Sequence, residues 1–336
     1  SRFNDPRMGQ STTLTGRTIA RHMGASVNEL FTGEYNHVGD TIVYGDTDSI
    51  YFSAYPIFKD KIESGEFEWN KDKVTELYDT VCDQANKTFP GYMAQAHNVL
   101  DQKQGEIIAA AREMVALSGI FIKKKRYAML IYDDDGVRRD VDGKPGKVKA
   151  MGLDLKRSDT PDYMQKFLSE CLVTVLTGGN QNDIVNMVKE FKKEFRDKPG
   201  WEKGTPKRVN NLTKFKKDVA KYKRAQNADF KLRRSEDKLE KPRLPGHVSA
   251  ALNWNTLREM NSDKYSVEIT DGMKTIVCKL RDNPMKMTSI AYPIDEPRIP
   301  QWFQDLPFDH VSMETAIIDK KIDNLIGVLK WDLSAA

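Results

Sequence analysis

Two aspartates, Asp46 and Asp48, stand two residues apart in the run Thr41-Ile42-Val43-Tyr44-Gly45-Asp46-Thr47-Asp48-Ser49-Ile50-Tyr51-Phe52. On an extended backbone that spacing turns both carboxylates toward one side. Two unit charges about 4 Å apart repel by about 1 kcal/mol in bulk water and by about 4 kcal/mol at the effective dielectric of a protein surface. A divalent cation between them removes the repulsion, so the pair reads as part of a metal site. The same Gly-Asp-Thr-Asp-Ser composition also suits a solvated hairpin turn, because each residue type favours turns for its own reason. The flanking β-branched and aromatic runs predict a strand on either side of the bend.

The elements that would hold this turn can be read around it. Leu14, Ile19, Met23, Val27, Leu30 and Phe31 recur at near-helical spacing over 12–31, with Gly33 as the stop, so a helix leads into the acidic hairpin. A second helical pattern runs over 71–88 through Val74, Leu77, Tyr78, Val81, Cys82 and Ala85. Strands are predicted at 106–111, 119–122, 126–132 and near 148–152, with Asp133-Asp134-Asp135-Gly136 as a hairpin turn rather than a second metal site. After Met151-Gly152-Leu153 the character changes. A helix capped by Asp159 or Thr160 and started by a proline buries Met164, Phe167, Leu168, Cys171 and Leu172, and another follows over 182–197. A strand-rich stretch at 265–292 and a last helix with Ile318, Ile322, Leu325, Ile326 and Leu329 on one stripe complete the chain. The fold class expected is α+β, with a boundary near residue 155 between a unit that carries the acids and a mostly helical unit.

With 336 residues, 39% hydrophobic and 30% charged, the chain is long enough for two domains with a sizeable core, and no apolar run approaches the roughly 20 residues needed to span a bilayer. Cys82, Cys171 and Cys278 lie far apart without metal-site spacing and read as reduced core residues of an intracellular protein. Net charge is only +4, but its distribution is uneven. Between Lys203 and Arg243 there are fifteen Lys/Arg against five Asp/Glu, a density that suits either a phosphate-binding face or a solvated helix. Trp254 and Tyr292 read as core aromatics. The chain opens on Ser1-Arg2-Phe3 without an initiator Met or a targeting pattern, and reads as the middle of something, truncated or encoded in parts.

The frame Tyr44-Gly45-Asp46-Thr47-Asp48-Ser49 resembles the palm motif of the family B DNA polymerases. Three further segments follow in the order the family requires. Arg2 to Arg7 and Ser11 to Arg17 are similar to the stretch just after the fingers helix. Lys124-Lys125-Arg126-Tyr127 looks like the family's Lys-x-Tyr motif, and Met151-Gly152-Leu153 with Lys156 to Pro161 resembles the palm-to-thumb junction of T4-like bacteriophage replicative polymerases.

The resemblance implies an antiparallel palm sheet with packed helices, followed by a mostly helical thumb with a small β subdomain. Residues 1–33 would end the fingers and palm helix, 34–155 would be the C-terminal part of the palm, and 156–336 the thumb. It implies two Mg²⁺ ions in the complete enzyme, with Asp48 as bridging ligand, Asp46 as the weaker catalytic and metal-binding acid, and Glu113 as an accessory acid on a neighbouring strand. Lys124, Lys125, Arg126 and Tyr127 would hold duplex DNA near the primer end, and Lys216, Lys217 and Lys221 would grip the product duplex. Implied partners are primer–template DNA, a deoxynucleoside triphosphate, an N-terminal polymerase fragment carrying the fingers and the other catalytic Asp, and a sliding clamp, in the cytoplasm of an infected bacterium with no membrane role. The family's aromatic, acidic clamp-binding tail is not evident at Trp331-Asp332-Leu333. The rival reading is a duplex-DNA-binding module whose acidic turn is vestigial; a two-metal nuclease is a weaker one.

Overall fold

The structure, a computed structural model, describes residues 5–227 and 241–334. Helices and antiparallel sheets are mixed, as the α+β expectation has it, and the chain falls into two compact units, residues 1–152 and 153–336. Among the described residues no helix is long and apolar enough to cross a membrane.

The first unit opens on α1 (Pro6–Thr32). Asp5 caps it by accepting from the Arg7 N–H, Pro6 supplies a preset φ at the start, and Gly33, at φ 75, ends it. Only the second half is buried; Met8 and Leu14 are exposed. Then come β1 (Ile42–Asp46), β2 (Ser49–Phe52), α2 (Tyr55–Glu63), α3 (Lys71–Asn86), α4 (Phe89–His97) and the single turn α5 (Gln102–Gly105). The sheet follows with β3 (Met114–Lys123), β4 (Arg126–Asp134), β5 (Val137–Arg138) and β6 (Lys147–Met151). β4 pairs antiparallel with β3 on one side and with β5 and β6 on the other, so it is buried along nearly its whole length.

The strand expected at 106–111 does not form. The Ala110 N–H donates to Asn86 Oδ1, and the Ala110 carbonyl accepts from Asn86 Nδ2 and the Cys82 thiol, so side chains of α3 take the place of a partner strand. The Asp run does form a hairpin turn. Buried Asp133 accepts from the Gly136 N–H and from the Arg112 guanidinium, while Asp135 and Gly136 turn with φ of 55° and 78°.

The second unit stacks α6 (Asp162–Leu176) on α7 (Gln181–Asp197), with Phe167 and Phe191 face to face at 3.9 Å. The cap of α6 is Pro161, without a side-chain bond. Asp159 and Thr160 are occupied elsewhere: Asp159 pairs with Arg157 and Lys207, and the buried Thr160 hydroxyl accepts from Lys321. A three-stranded antiparallel sheet, β7 (Thr205–Arg208), β8 (Lys274–Lys279) and β9 (Ser289–Pro293), is joined by α8 (Leu212–Asn227) and α9 (Gly246–Met260) around a core centred on Trp254. Tyr292 packs against the same core and donates to the Trp201 carbonyl. Within 265–292, residues 265–271 are not strand: Trp254 Nε1 donates to the Val267 carbonyl and Asn255 exchanges two bonds with Ile269, so α9 rather than a strand satisfies that backbone. After α10 (Gln301–Gln304), α11 (His310–Glu314) passes through one π turn, Thr315–Asp319, into α12 (Lys320–Ile326), which buries Ile322, Leu325 and Ile326.

Candidate active site

The acidic hairpin is pinned from both faces. Ile42, Ile50 and Phe52 pack with Val27 and Phe31 of α1 and with Leu77, Val81 and Ala85 of α3. Tyr44 and Tyr51 pack against Phe121, Tyr127, Met129 and Ile131 of the sheet. At its base, buried Asn28 accepts through Oδ1 from both the N–H and the hydroxyl of Thr41, and its Nδ2 donates to the Glu34 carbonyl and the Thr32 hydroxyl. Two of these four hydrogen bonds tie Thr41, at the entry to β1, to α1, and the other two hold the Asn28 amide in place at the end of α1.

Asp46 pairs with Ser49 across the hairpin, leaving Thr47 and Asp48 as a two-residue turn with Thr47 at φ 44. The Thr47 hydroxyl donates to Asp46 Oδ1 and the Ser49 hydroxyl to the Asp46 carbonyl. The two acids are in different settings. The Asp46 side chain is 19% exposed and its Oδ1 lies 3.9 Å from Lys125 Nζ; Asp48 projects into solvent at the tip.

Lys124 and Lys125 form the exposed β3–β4 turn, Lys125 at φ 59, with Lys123 and Arg126 paired at its base. The Lys125 N–H donates to the Tyr44 hydroxyl at 2.9 Å, so the basic turn hangs on the acidic hairpin. Gly152 closes the other side: at φ 65, a Cβ there would overlap the Lys125 carbonyl oxygen. Tyr127 is only 2% exposed, and its hydroxyl shares a 2.8 Å hydrogen bond with that of Tyr51. It supports the turn from below instead of presenting its ring to a ligand, because its position on the central strand faces the aromatic cluster. Burial raises the Tyr51 phenol above its usual range, with the Tyr127 bond and the charge of Glu113 adding to the effect.

Glu113 is exposed and precedes β3 by one residue, so it stands at the end of the sheet and not on a strand. The neighbouring Arg112 does not pair with it but with Asp79 and Asp133. Among the described residues no group of three His, Cys, Asp or Glu side chains is arranged to hold a metal ion. Carboxylate oxygens suit Mg²⁺, but Asp46 and Asp48 alone are a fraction of the six ligands it takes.

In the second unit the basic segment is less uniform than its sequence. Lys203 is 1% exposed, donating to the Arg196 carbonyl and to His310 Nδ1, and Lys207 is held by Asp159. Lys216, Lys217 and Lys221 are exposed on α8, and Lys216 lies 3.6 Å from Glu268. Lys231, Arg233, Arg234 and Lys238 lie outside the described residues.

Tyr44 as a hydrogen-bond acceptor, Asn28 and Gly152 are the supports that residue patterns leave unmarked. Asn28 had a signal, an amide inside the apolar stripe between Val27 and Leu30. So did Gly152, a glycine at a strand end between two apolar residues.

Similarity to known proteins extends over most of the chain. The family model for DNA polymerase family B matches residues 93–249. The DNA-directed DNA polymerase of Escherichia phage RB69 is 29% identical over 301 residues, and that of Enterobacteria phage T4 is 26% identical over 304. Each match covers 87% of this chain and 30% of the relative, so the chain spans about a third of the length of these relatives. The chain is thus similar to the family B DNA polymerases, and among them to those of the T4-like phages.

Proposed function

We propose that the chain is the C-terminal palm and thumb part of a DNA-directed DNA polymerase, with residues 34–152 in the palm and the second unit as the thumb. The observation that carries this is the joint between the two turns. Asp46 lies against the Lys125 ammonium and Tyr44 holds the Lys125 backbone, so a carboxylate tip and a phosphate-binding tip are fixed side by side.

In this reading Asp48, exposed at the tip, ligates Mg²⁺, and Asp46 acts as the weaker acid that also sets the position of Lys125. Bound Mg²⁺ would activate a primer 3′-hydroxyl and hold the triphosphate as pyrophosphate leaves. The remaining ligands come from the part of the polymerase that carries the other catalytic Asp and the fingers. Glu113, at the end of the sheet and close enough for its charge to act on Tyr51, is an accessory acid. Lys124, Lys125 and Arg126 contact the backbone and minor groove near the primer end, where position is sensed without reading sequence.

The experiment is primer extension by the chain combined with the rest of the polymerase. Asp48→Ala should abolish synthesis and Asp46→Ala should reduce it less. Equal, small losses would assign the turn a structural role and leave the chain a non-catalytic duplex-binding module.

A further inference from the structure

His22, on the buried half of α1, is 7% exposed and joins two hydroxyls. Its Nδ1 lies 2.7 Å from the Tyr35 oxygen, and its Nε2 lies 2.9 Å from that of Thr88, the residue before α4. The Thr88 hydroxyl has a single hydrogen, which it donates to the Ala85 carbonyl at 2.6 Å. Thr88 therefore accepts from the His22 Nε2–H, and Nδ1 is left as the lone pair that takes the Tyr35 O–H. Burial lowers the imidazole pKa and so favours this neutral form. The same ring stacks on Tyr92, with centroids 4.0 Å apart and planes 4° from parallel.

Tyr35 is thus tethered by its oxygen while its ring stays 54% exposed. A concavity of about 560 Å³ opens there, lined by His22, Tyr35, Thr88, Gly91, Tyr92 and Gln95. That volume is typical of small-molecule sites. Among the described residues no acidic or basic side chain lines it apart from the neutral imidazole. Gly91 leaves room in it, since a Cβ there would meet nothing within 4 Å. Gln95, exposed on α4, contributes an amide with donors beside an acceptor. A ring held in one place and a primary amide, in a pocket without charge, fit a ligand that is flat, neutral and edged with hydrogen-bonding groups.

We propose that this pocket takes a single unpaired nucleobase, its plane on the Tyr35 ring and its edge on the Gln95 amide. Every base is planar, uncharged at neutral pH and carries a donor beside an acceptor, and stacking on an aromatic side chain tolerates any base. No phosphate is needed for the recognition, so the base of a free nucleoside and a base splayed from a single strand share the chemistry. The pocket contains no residue of the acidic hairpin or the basic turn, and the inference does not rest on the role proposed for Asp46 and Asp48.

The test adds the whole chain to two fluorescent probes, 2-aminopurine deoxyriboside and an oligothymidylate carrying one 2-aminopurine, and follows the emission of that base. A saturable change with the nucleoside marks a site for a free base; a change with the strand alone marks a site for a base held in a backbone. Either supports the pocket if the substitutions there weaken it. Tyr35→Leu should lower affinity about tenfold or more, since the stacking surface is lost. Gln95→Ala should lower it about two- to tenfold. Gly91→Leu puts a side chain into the open space and should abolish the change. Thermal melts identify any variant that fails to fold, and the others then decide. No saturable change with either probe, or equal affinity in the unmodified chain and the folded variants, would overturn the proposal. Tighter displacement of the probe by N-acetyltryptophanamide than by adenosine would also overturn it, and would make the pocket a seat for an aromatic side chain of a protein.

Discussion

The Tyr44 hydroxyl accepts the Lys125 N–H at 2.9 Å, which makes one residue of the acidic motif the support of the basic turn. Tyr44→Phe keeps the ring among Tyr51, Phe121 and Tyr127 but leaves the Lys125 amide to water. Loss of one such bond should cost about 1 kcal/mol in denaturant unfolding. In primer-terminus binding the variant should behave like a mild Lys125→Ala. Unchanged binding together with lost stability would separate the turn's position from its role.

Gly152→Ala should be more damaging. The residue needs φ 65 and its Cβ would overlap the Lys125 carbonyl, so strain and a forced shift add together. A loss of about 2–3 kcal/mol is expected, measured by urea unfolding. A loss below about 0.5 kcal/mol would show that the Lys125 turn yields easily.

Asn28→Ala removes four hydrogen bonds and leaves the Thr41 N–H and hydroxyl buried without a partner. The expected cost is about 2–3 kcal/mol. Asn28→Asp should restore the acceptor side only. Its stability should fall between the two if the Thr41 contacts dominate.

A pH effect is expected in the second unit. His310 Nδ1 lies 2.9 Å from the buried Lys203 ammonium, with Arg281, Asp309 and Glu314 nearby. Burial first, then the Lys203 and Arg281 charges, hold the imidazole below its usual range, while Asp309 opposes them. The folded chain therefore binds this proton at lower pH than the unfolded chain, whose histidine titrates near about 6.5. The contribution is fully present above that value and is lost as pH falls toward the lowered one. His310→Asn supplies an acceptor that does not titrate, so its melting temperature should fall less between neutral and mildly acidic pH. His22 and His247, lowered by burial as well, contribute equally to both proteins and cancel in the comparison. Equal falls would remove His310 as the cause.

Periodicity made much of the fold legible. The helices expected at 71–88 and 182–197 appear at Lys71–Asn86 and Gln181–Asp197, and the strand at 126–132 at Arg126–Asp134. What failed was pairing. Residues 106–111 and 265–271 look like strands, yet their backbone groups are taken by Asn86, Trp254 and Asn255, partners that no local pattern announces. In the candidate site the tip residues were readable as Asp46 and Asp48, because their chemistry is in their type and spacing. The burial of Tyr127 was not, since it depends on Tyr44, Tyr51 and Phe121 arriving from other strands.

The paired hydroxyls of Tyr51 and Tyr127 have an optical consequence. Tyr51, like Tyr78, Tyr132, Tyr163 and Tyr292, has its phenol raised, with burial the first cause in each. In an alkaline titration followed by ultraviolet absorbance, Tyr51 should therefore ionise late, together with these other buried phenols. The late absorbance that disappears in Tyr51→Phe is the part that reports on the packing beneath the acidic tip, so the seat of Asp46 and Asp48 has an optical signature of its own.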